Sequence, residues 1–468
     1  MTFIKNIAPL LVLAILLSSC SDFVDIKTQG QLVPNQVENY QLLLNNNSAY
    51  RYGPQFSAVA SDDIELVDGS YQQQSLATSD YSGWWAKAYT WQNELFPLGN
   101  YQTDYSWSAM YNSIAYANTV IGEIMGANGD ETAKLALRAE AYVHRADAYL
   151  MLVNTYGKTY IATSADNDLG VPLVLTQNTS QSLQRASVQT VYEQIIRDLE
   201  AAIPYLPEEQ TYNTHPSLPA AYGELARTYL YMNNFSTANA YADSVLMYQD
   251  ELIDLGTIDY ISTATYPITR DNPEILISKM AYGGVLYSPT SFRLSDDLLN
   301  ILGTADQRYN LYTAPGDQVS YSYTAEDGRY FYLDYAMNEG RNIGPTVPEM
   351  YLVKAEYYAR NNNPDEAMNW VNKLRVKRFK TEDYVELTAT DGSDALSKVI
   401  DERRREFFGR MLRWWDMRRL AAEGLYTNTI TRTFGGETYT LPPNSNRYVF
   451  PIAAYQIQLN PEIEQNPE

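Results

Sequence analysis

Thiol and imidazole side chains are almost missing from this chain. Its 468 residues hold 1 Cys and 2 His. A single Cys excludes an internal disulfide and any cysteine-clustered metal site. Two imidazoles, at His144 and His215, are too few for a His-built zinc or iron centre. A Ser-His-Asp triad would need one of them, and no G-x-S-x-G elbow occurs. Positive charge is scarce as well: 34 Lys+Arg stand against 56 Asp+Glu, a formal charge of −22. A surface that acidic repels phosphate backbones, so nucleic acid is not expected as a partner. Long apolar runs are absent beyond the N-terminus, so no later stretch is expected to span a bilayer. What is abundant is tyrosine, 41 residues against 12 Phe and 7 Trp. A tyrosine offers a flat apolar face and a hydroxyl that seeks a partner. Such residues gather on surfaces that stay wet and still grip a ligand.

The N-terminus reads as a secretory signal. Lys5 supplies the positive charge, Ile7 to Leu17 the apolar run, and Ser18-Ser19-Cys20 the small residues at a cut site. Leu17-Ser18-Ser19-Cys20 resembles a bacterial lipobox, in which the Cys becomes the acylated first residue of the mature chain. That resemblance implies a lipid anchor on Cys20 and membrane tethering of an otherwise soluble body. The polar stretch up to residue 39 then reads as a spacer.

Helical periodicity, with start and stop signals, covers Trp107 to Met125, Thr132 to Tyr156 and Val188 to Tyr205. Two tight helix pairs follow, Ala220 to Met232 with Ser236 to Tyr248, and Val347 to Arg360 with Pro364 to Phe379. Asp394 to Ala422 reads as one long helix or two, broken near Gly409. The two pairs align: Ala226, Tyr229 and Ala238 share their spacing with Ala355, Tyr358 and Ala367. Small residues there let paired helices approach, and a tyrosine plugs the groove, as in a helix–turn–helix repeat of about 34 residues. Ala146 and Tyr149 begin a third unit, interrupted by an insertion over 157–187. The fold class expected is mostly α, a tetratricopeptide-like scaffold. Residues 40–105 and 251–345 read as non-helical, rich in loops and hairpins.

Five stretches, in order along the chain, resemble the SusD/RagB family of outer-membrane nutrient-binding lipoproteins. They are the lipobox; Trp107-x3-Tyr111-x2-Ile114-x3-Asn118-x2-Ile121; Arg138-Ala-Glu-Ala-Tyr142-x2-Arg145-Ala146-x2-Tyr149-x6-Tyr156-Gly157; Pro348-Glu349-Met350-Tyr351-Leu352-x2-Ala355-Glu356 with Glu402-Arg-Arg-Arg-Glu406-Phe407 and Arg413-Trp414-Trp415-Asp416-x2-Arg419; and Pro451-Ile452 with Asn460-Pro461 and Gln465-Asn466-Pro467. The chain departs from the family pattern at Arg410-Met411, Ala453 and Gln456, all structural positions. The resemblance implies a cell-surface protein at the outer membrane, seated over a SusC-like TonB-dependent transporter. It implies capture of a glycan for import, or of an oligopeptide as in the RagB branch, with no catalysis and no cofactor. A helical-repeat scaffold without small ligand and a surface glycosidase are the other classes. The expected organisation is a signal over 1–19, a spacer over 20–39, a helix-paired half over 40–250, an irregular Tyr-rich ligand-binding subdomain over 251–345 and a helical half over 346–468.

Sugar rings present C–H faces that stack on aromatic planes. The ligand-binding candidates are therefore Trp84, Trp85, Tyr71, Tyr81 and Tyr89 before the first long helix, and Tyr282, Tyr287 and Tyr323 in the middle. Gln72, Gln73, Gln74 and Asn93 are polar partners close by. The charge cluster Glu402 to Arg419 reads as a helix-to-helix ion-pair network with local i,i+3 and i,i+4 pairs, and Trp414 and Trp415 as core. Asp166-Asn167-Asp168-x-Gly170 reads as a surface turn, since it lacks the distal ligands of a calcium loop. Ser61-Asp62-Asp63 could suggest paired hydrolytic acids, yet adjacent residues point apart and packing is the preferred reading. His144 reads as a solvated or capped helix residue, His215 as part of a turn.

Overall fold

The structure is a computed structural model. It describes residues 34–50, 53, 55–78, 83–99, 104–178, 180–280, 291–319 and 328–467. Along the chain, α1 (Val37–Leu44), α2 (Gln55–Ala60), strand β1 (Ile64–Glu65), α3 (Tyr71–Thr78) and α4 (Gly83–Tyr89) precede the long helices α5 (Tyr105–Glu123) and α6 (Glu131–Tyr156). Strands β2 (Leu169–Pro172) and β3 (Arg185–Ser187) form a hairpin in the insertion, followed by α7 (Val188–Ala202), α8 (Leu218–Tyr231) and α9 (Phe235–Leu246). Next come β4 (Arg293–Leu294), α10 (Asp296–Leu302), α11 (Gln307–Tyr312), β5 (Thr313–Pro315) and β6 (Arg329–Phe331). The chain then returns to long helices: α12 (Val347–Arg360), α13 (Pro364–Arg375), α14 (Gly392–Phe407) and α15 (Leu412–Ala422). The β7 (Ile430–Phe434) and β8 (Glu437–Leu441) hairpin follows. No helix among the described residues is long and apolar enough to cross a membrane.

The long helices pack in succession, α5 on α6, α6 on α7, α8 on α9, α9 on α12, and α12 on both α13 and α14. The two aligned pairs share more than their alanines. Ala226, Ala238, Ala355 and Ala367 are all fully buried, as close helix approach requires. Each pair turns on an asparagine in the left-handed region, Asn233 at φ 58° and Asn362 at φ 55°. Asparagine tolerates that conformation because its short amide bonds locally. The next asparagine in each turn caps the second helix: Asn234 accepts from the Thr237 N–H and Asn363 from the Glu366 N–H. Tyr149 fills its groove, fully buried, with its hydroxyl donating to Val174 O and accepting from Val174 N–H. Tyr229 and Tyr358 are only half-buried against the core, Tyr229 stacked on Tyr241 of its paired helix at 5.7 Å. The third unit is completed by α7 across the inserted hairpin, and α14 breaks from α15 around Gly409, at φ 71°.

Two expectations need correction. Residues 40–105 are not without helix, since α1 to α4 lie there, and the described part of 251–345 contains α10 and α11. These helices have six to eight residues, too short for a periodic signal to separate from loop. The β-like run Glu274-Ile275-Leu276-Ile277-Ser278, which the sequence offers as a short strand, forms none; within it only Ile275 bridges, to Thr346. The two regions are knit together, β1 pairing with β4 through Ile64–Leu294 and Glu65–Arg293.

The charged cluster is a buried lattice. Arg308 donates to Asp306, Glu402 and Glu406 at 2.6 to 2.7 Å. Arg378 donates to Glu406 and Glu274, and Arg375 to Glu402. Arg419 ties Glu356 to Asp416, and Arg227 pairs with Glu349. Most of these pairs join separate elements rather than neighbouring turns; Arg413 reaches Asp62, not Asp416. Burial alone would raise the Glu402 and Glu406 pKa values, but the surrounding guanidinium groups outweigh it and hold both carboxyls at about 2. Trp414 and Trp415 are buried in the core, as read.

Candidate functional site

Helix α4 carries the two adjacent indoles in its first turn. Both are half-buried. The Trp84 ring meets Phe56 edge-on at 6.1 Å, Trp85 at 5.0 Å and Phe96 at 5.7 Å. Each ring thus rests one side on the core and leaves part of its surface outward. The Trp85 Nε1–H is buried without an acceptor among the described residues. Tyr71 opens α3 with an exposed side chain.

Other candidates are placed differently. Tyr89 is buried, 1 % exposed, and cannot receive a ligand. Its hydroxyl accepts from the Leu66 N–H at 2.8 Å and its ring lies under the Arg432 guanidinium at 3.9 Å. Tyr89→Phe is therefore expected to cost about 1 kcal/mol of stability, read by chemical denaturation, and to leave ligand affinity unchanged. Gln72 and Gln73 also serve the fold. Gln72 donates to the Tyr330 hydroxyl, and Gln73 accepts from the Gly69 and Gly435 N–H groups and donates to Thr433 O. Gln74 is exposed. Tyr81, Tyr282, Tyr287 and Tyr323 lie outside the described residues, as does Cys20.

Beside the indoles runs an open cleft of about 360 Å³ between the 92–96 loop and the C-terminal segments. Phe96 belongs both to its wall and to the Trp84 contact. Asn93 and Arg447 add hydrogen-bonding groups to the same wall, while the amide of Gln465, also in the lining, is engaged by the Ile452 and Asn466 backbone. Asn93 is thus the expected polar partner that does face open space. A second cleft, of about 530 Å³, lies on the other side of residues 446–449 and carries Lys158, Asp168 and Tyr448. The C-terminal lining was legible only as a family motif, because its partners lie hundreds of residues away.

The acidic candidates do not form a hydrolytic pair. Asp62 accepts two bonds from Arg413, at 2.7 and 2.6 Å, and Asp63 one from Arg404 at 2.9 Å. Burial works against the Asp62 charge, but Arg413 and Arg404 hold its carboxyl well below the usual range; in Asp63 burial prevails and the pKa rises. Asp168 is occupied by Lys158 and Ser164, within a turn. No group of three or more His, Cys, Asp or Glu among the described residues could hold a metal ion. His144, expected to be solvated or capping, is instead fully buried: Lys279 lies 2.8 Å from its Nδ1 and Tyr50 stacks on it at 4.0 Å.

Comparison with known proteins fixes the family. Residues 22–230 match a SusD-like family described as starch-binding and associating with the outer membrane, and residues 347–468 match the SusD family itself. The chain belongs to the SusD/RagB family. SusD-like protein P2 of Formosa agariphila is 24% identical over 414 residues, covering 77% of this chain and 79% of that protein. Its SusD-like protein P25 is 22% identical, covering 79% and 82%. Among solved structures, a SusD superfamily protein of Bacteroides thetaiotaomicron superposes with a TM-score of 0.72 at 19% identity, covering 92% of this chain and all of that one. Surface glycan-binding protein A of Bacteroides uniformis gives 0.69 at 19% identity, covering 92% and 99%. The departures at Arg410-Met411, Ala453 and Gln456 leave this SusD-like fold intact.

Proposed function

We propose that this SusD-family chain is a cell-surface lipoprotein, acylated at Cys20, that captures glycans at the outer membrane for import through a SusC-like TonB-dependent transporter. The observation that carries the reading is the Trp84–Trp85 pair beside a cleft bearing Asn93 and Arg447. Flat indole faces suit the C–H faces of sugar rings, and amide and guanidinium groups suit their hydroxyls. Tyr71 extends the aromatic surface, and Tyr81, Tyr282, Tyr287 and Tyr323 belong to the same proposal. The name of the Bacteroides uniformis neighbour, a surface glycan-binding protein, supports the ligand class. The outer face of α8 and α9 suits the transporter: Tyr222, Tyr229 and Tyr241 form a row of rings 5.7 to 6.0 Å apart there. Capture rather than catalysis fits Asp62 and Asp63, whose carboxyls are engaged by arginines.

Affinity electrophoresis against a panel of polysaccharides tests the ligand class. Retardation by at least one glycan is expected. Migration unchanged by every glycan, with saturable binding of peptides, would replace glycan by oligopeptide. Release of reducing sugar would make the protein a hydrolase.

A further inference from the structure

A second pocket lies on the helical scaffold, built from elements that the aromatic site does not use. It has a volume of about 460 Å³ and opens between α1, α6 and the connection from α7 to α8. Its walls are mainly apolar, with Leu135, Leu137, Pro204, Leu206 and Pro207. Its lining includes a carboxylate. Glu140 is 4 % exposed, and its Oε1 lies 2.7 Å from Nδ1 of His215, which also lines the pocket. The other carboxylate oxygen, Oε2, has no hydrogen-bond partner among the described residues.

Behind Glu140 stands a chain of groups that fixes it as an anion. Lys279 Nζ lies 2.8 Å from His144 Nδ1, and His144 Nε2 lies 3.5 Å from Glu140 Oε1. An ammonium donating to Nδ1 leaves the ring proton on Nε2, facing the carboxylate. Burial and the adjacent Lys279 charge push His144 down to about 4, so this ring is neutral at physiological pH. Burial alone would raise the Glu140 pKa, but its bonds to His144 and His215 bring it down to about 2. The other charged groups near this set are Asp147, 3.4 Å from Lys279, and Glu224, which is buried beside Asp147, Lys279 and Arg227; Glu208 and Glu209 follow the lining residue Pro207 in sequence and are exposed. A buried anion with one free oxygen, ringed by aliphatic side chains, is matched by a compact cation on an aliphatic stem. Gln41, Thr132, Tyr205 and Gln210 add neutral polar groups to the lining, and Glu140 is its one carboxylate.

We propose that this pocket binds a primary ammonium carried on an aliphatic chain, with Glu140 Oε2 accepting from the ammonium and Leu135, Leu137 and Leu206 enclosing the stem. The source is either a free alkylamine or a lysine side chain of a protein partner. His215 tunes the site. Its bond to Glu140 raises its pKa, and once protonated it neutralises the carboxylate and repels the ligand.

Only two histidines occur, so selective 13Cε1-histidine labelling of the full chain gives two NMR signals. The His215 signal itself gives its titration midpoint; above that midpoint, n-butylammonium is expected to shift it saturably, and 1-butanol is expected to leave it in place. Below the His215 pKa the affinity should fall by about tenfold per pH unit. Glu140→Gln should weaken binding at least about tenfold. Leu135→Trp, which fills the mouth and leaves the buried groups alone, should abolish it and remains decisive if Glu140→Gln does not fold. Nα-acetyl-lysine methylamide binding more tightly than n-butylammonium identifies a protein-borne lysine; the reverse identifies a free amine. An equal response to 1-butanol, no saturable shift, or unchanged affinity in folded Glu140→Gln or Leu135→Trp would overturn the proposal. The assay contains no glycan, so its outcome is independent of the aromatic site.

Discussion

Arg308→Leu is expected to lower the free energy of unfolding by about 3–5 kcal/mol. The guanidinium is fully buried and donates to three carboxylates at once. Without it Glu402 keeps Arg375 and Arg405, and Glu406 keeps Arg378. Asp306 keeps only the backbone N–H of residue 308. Asp306 would then be a buried carboxylate without a cation, and Glu402 and Glu406 would each lose one of theirs, which costs far more than the intact pairs contribute. Arg308→Lys should not rescue, since a point charge cannot reproduce a fork that donates on two sides. The pH dependence has a definite sign. Glu402 and Glu406 have folded pKa values of about 2, below their unfolded value near 4.5. Their stabilisation is complete above pH about 4.5 and is lost as pH falls through about 2. Acid unfolding of Arg308→Leu should therefore begin at higher pH than that of the native chain. Denaturant titration at pH 7 and at pH 4 checks both statements, and equal stability of the two chains would deny the lattice its structural role.

The double change Trp84→Ala with Trp85→Ala is expected to weaken glycan binding by at least about a hundredfold, or about 2.7 kcal/mol. Trp84 packs on the core through Phe56 and Phe96, and Trp85 lies against the same core cluster, so the fold is not untouched. Two half-buried indoles should cost roughly 2–4 kcal/mol of stability together. That lies within the range of about 5–15 kcal/mol available to a folded chain. Phe at both positions keeps a flat apolar face and should recover part of the affinity. Isothermal titration with a retained glycan, beside circular dichroism, separates loss of ligand from loss of fold. A folded Ala pair that binds like the native chain would remove α4 from the site.

The helix pairs were legible because their evidence is local. Ala226, Tyr229 and Ala238 fall within one unit, and their counterparts repeat the same offsets. The asparagine turns repeat too, with Asn233 and Asn362 as the left-handed residues. Tyr229 and Tyr358 escaped the same logic because spacing says which face a residue occupies, not whether a neighbour covers it. The short helices α2 to α4 were not legible, since six to eight residues give too few turns for a period. His144 was misread because its partner Lys279 lies 135 residues away. For the same reason Arg413 seemed to belong with Asp416 when it belongs with Asp62, 351 residues distant. Of the proposed aromatic residues, Trp84, Trp85 and Tyr71 are named from aromatic crowding alone, and the structure leaves them at least partly exposed. The same crowding could not tell Tyr89, a core residue, from its exposed neighbours.

The ties between chain ends bear on the order in which the molecule assembles. Arg404 meets Asp63 across 341 residues, and Asn466 donates to Tyr156 O across 310. Closing loops of that length is entropically slow, and no local contact substitutes for it. The helix pairs, by contrast, close within a few tens of residues and can form early. Helical hairpins can therefore precede the ties that join distant segments. Asp63 and Tyr156 acquire these partners only when residues 404 and 466 come within reach, so this part of the core is completed late.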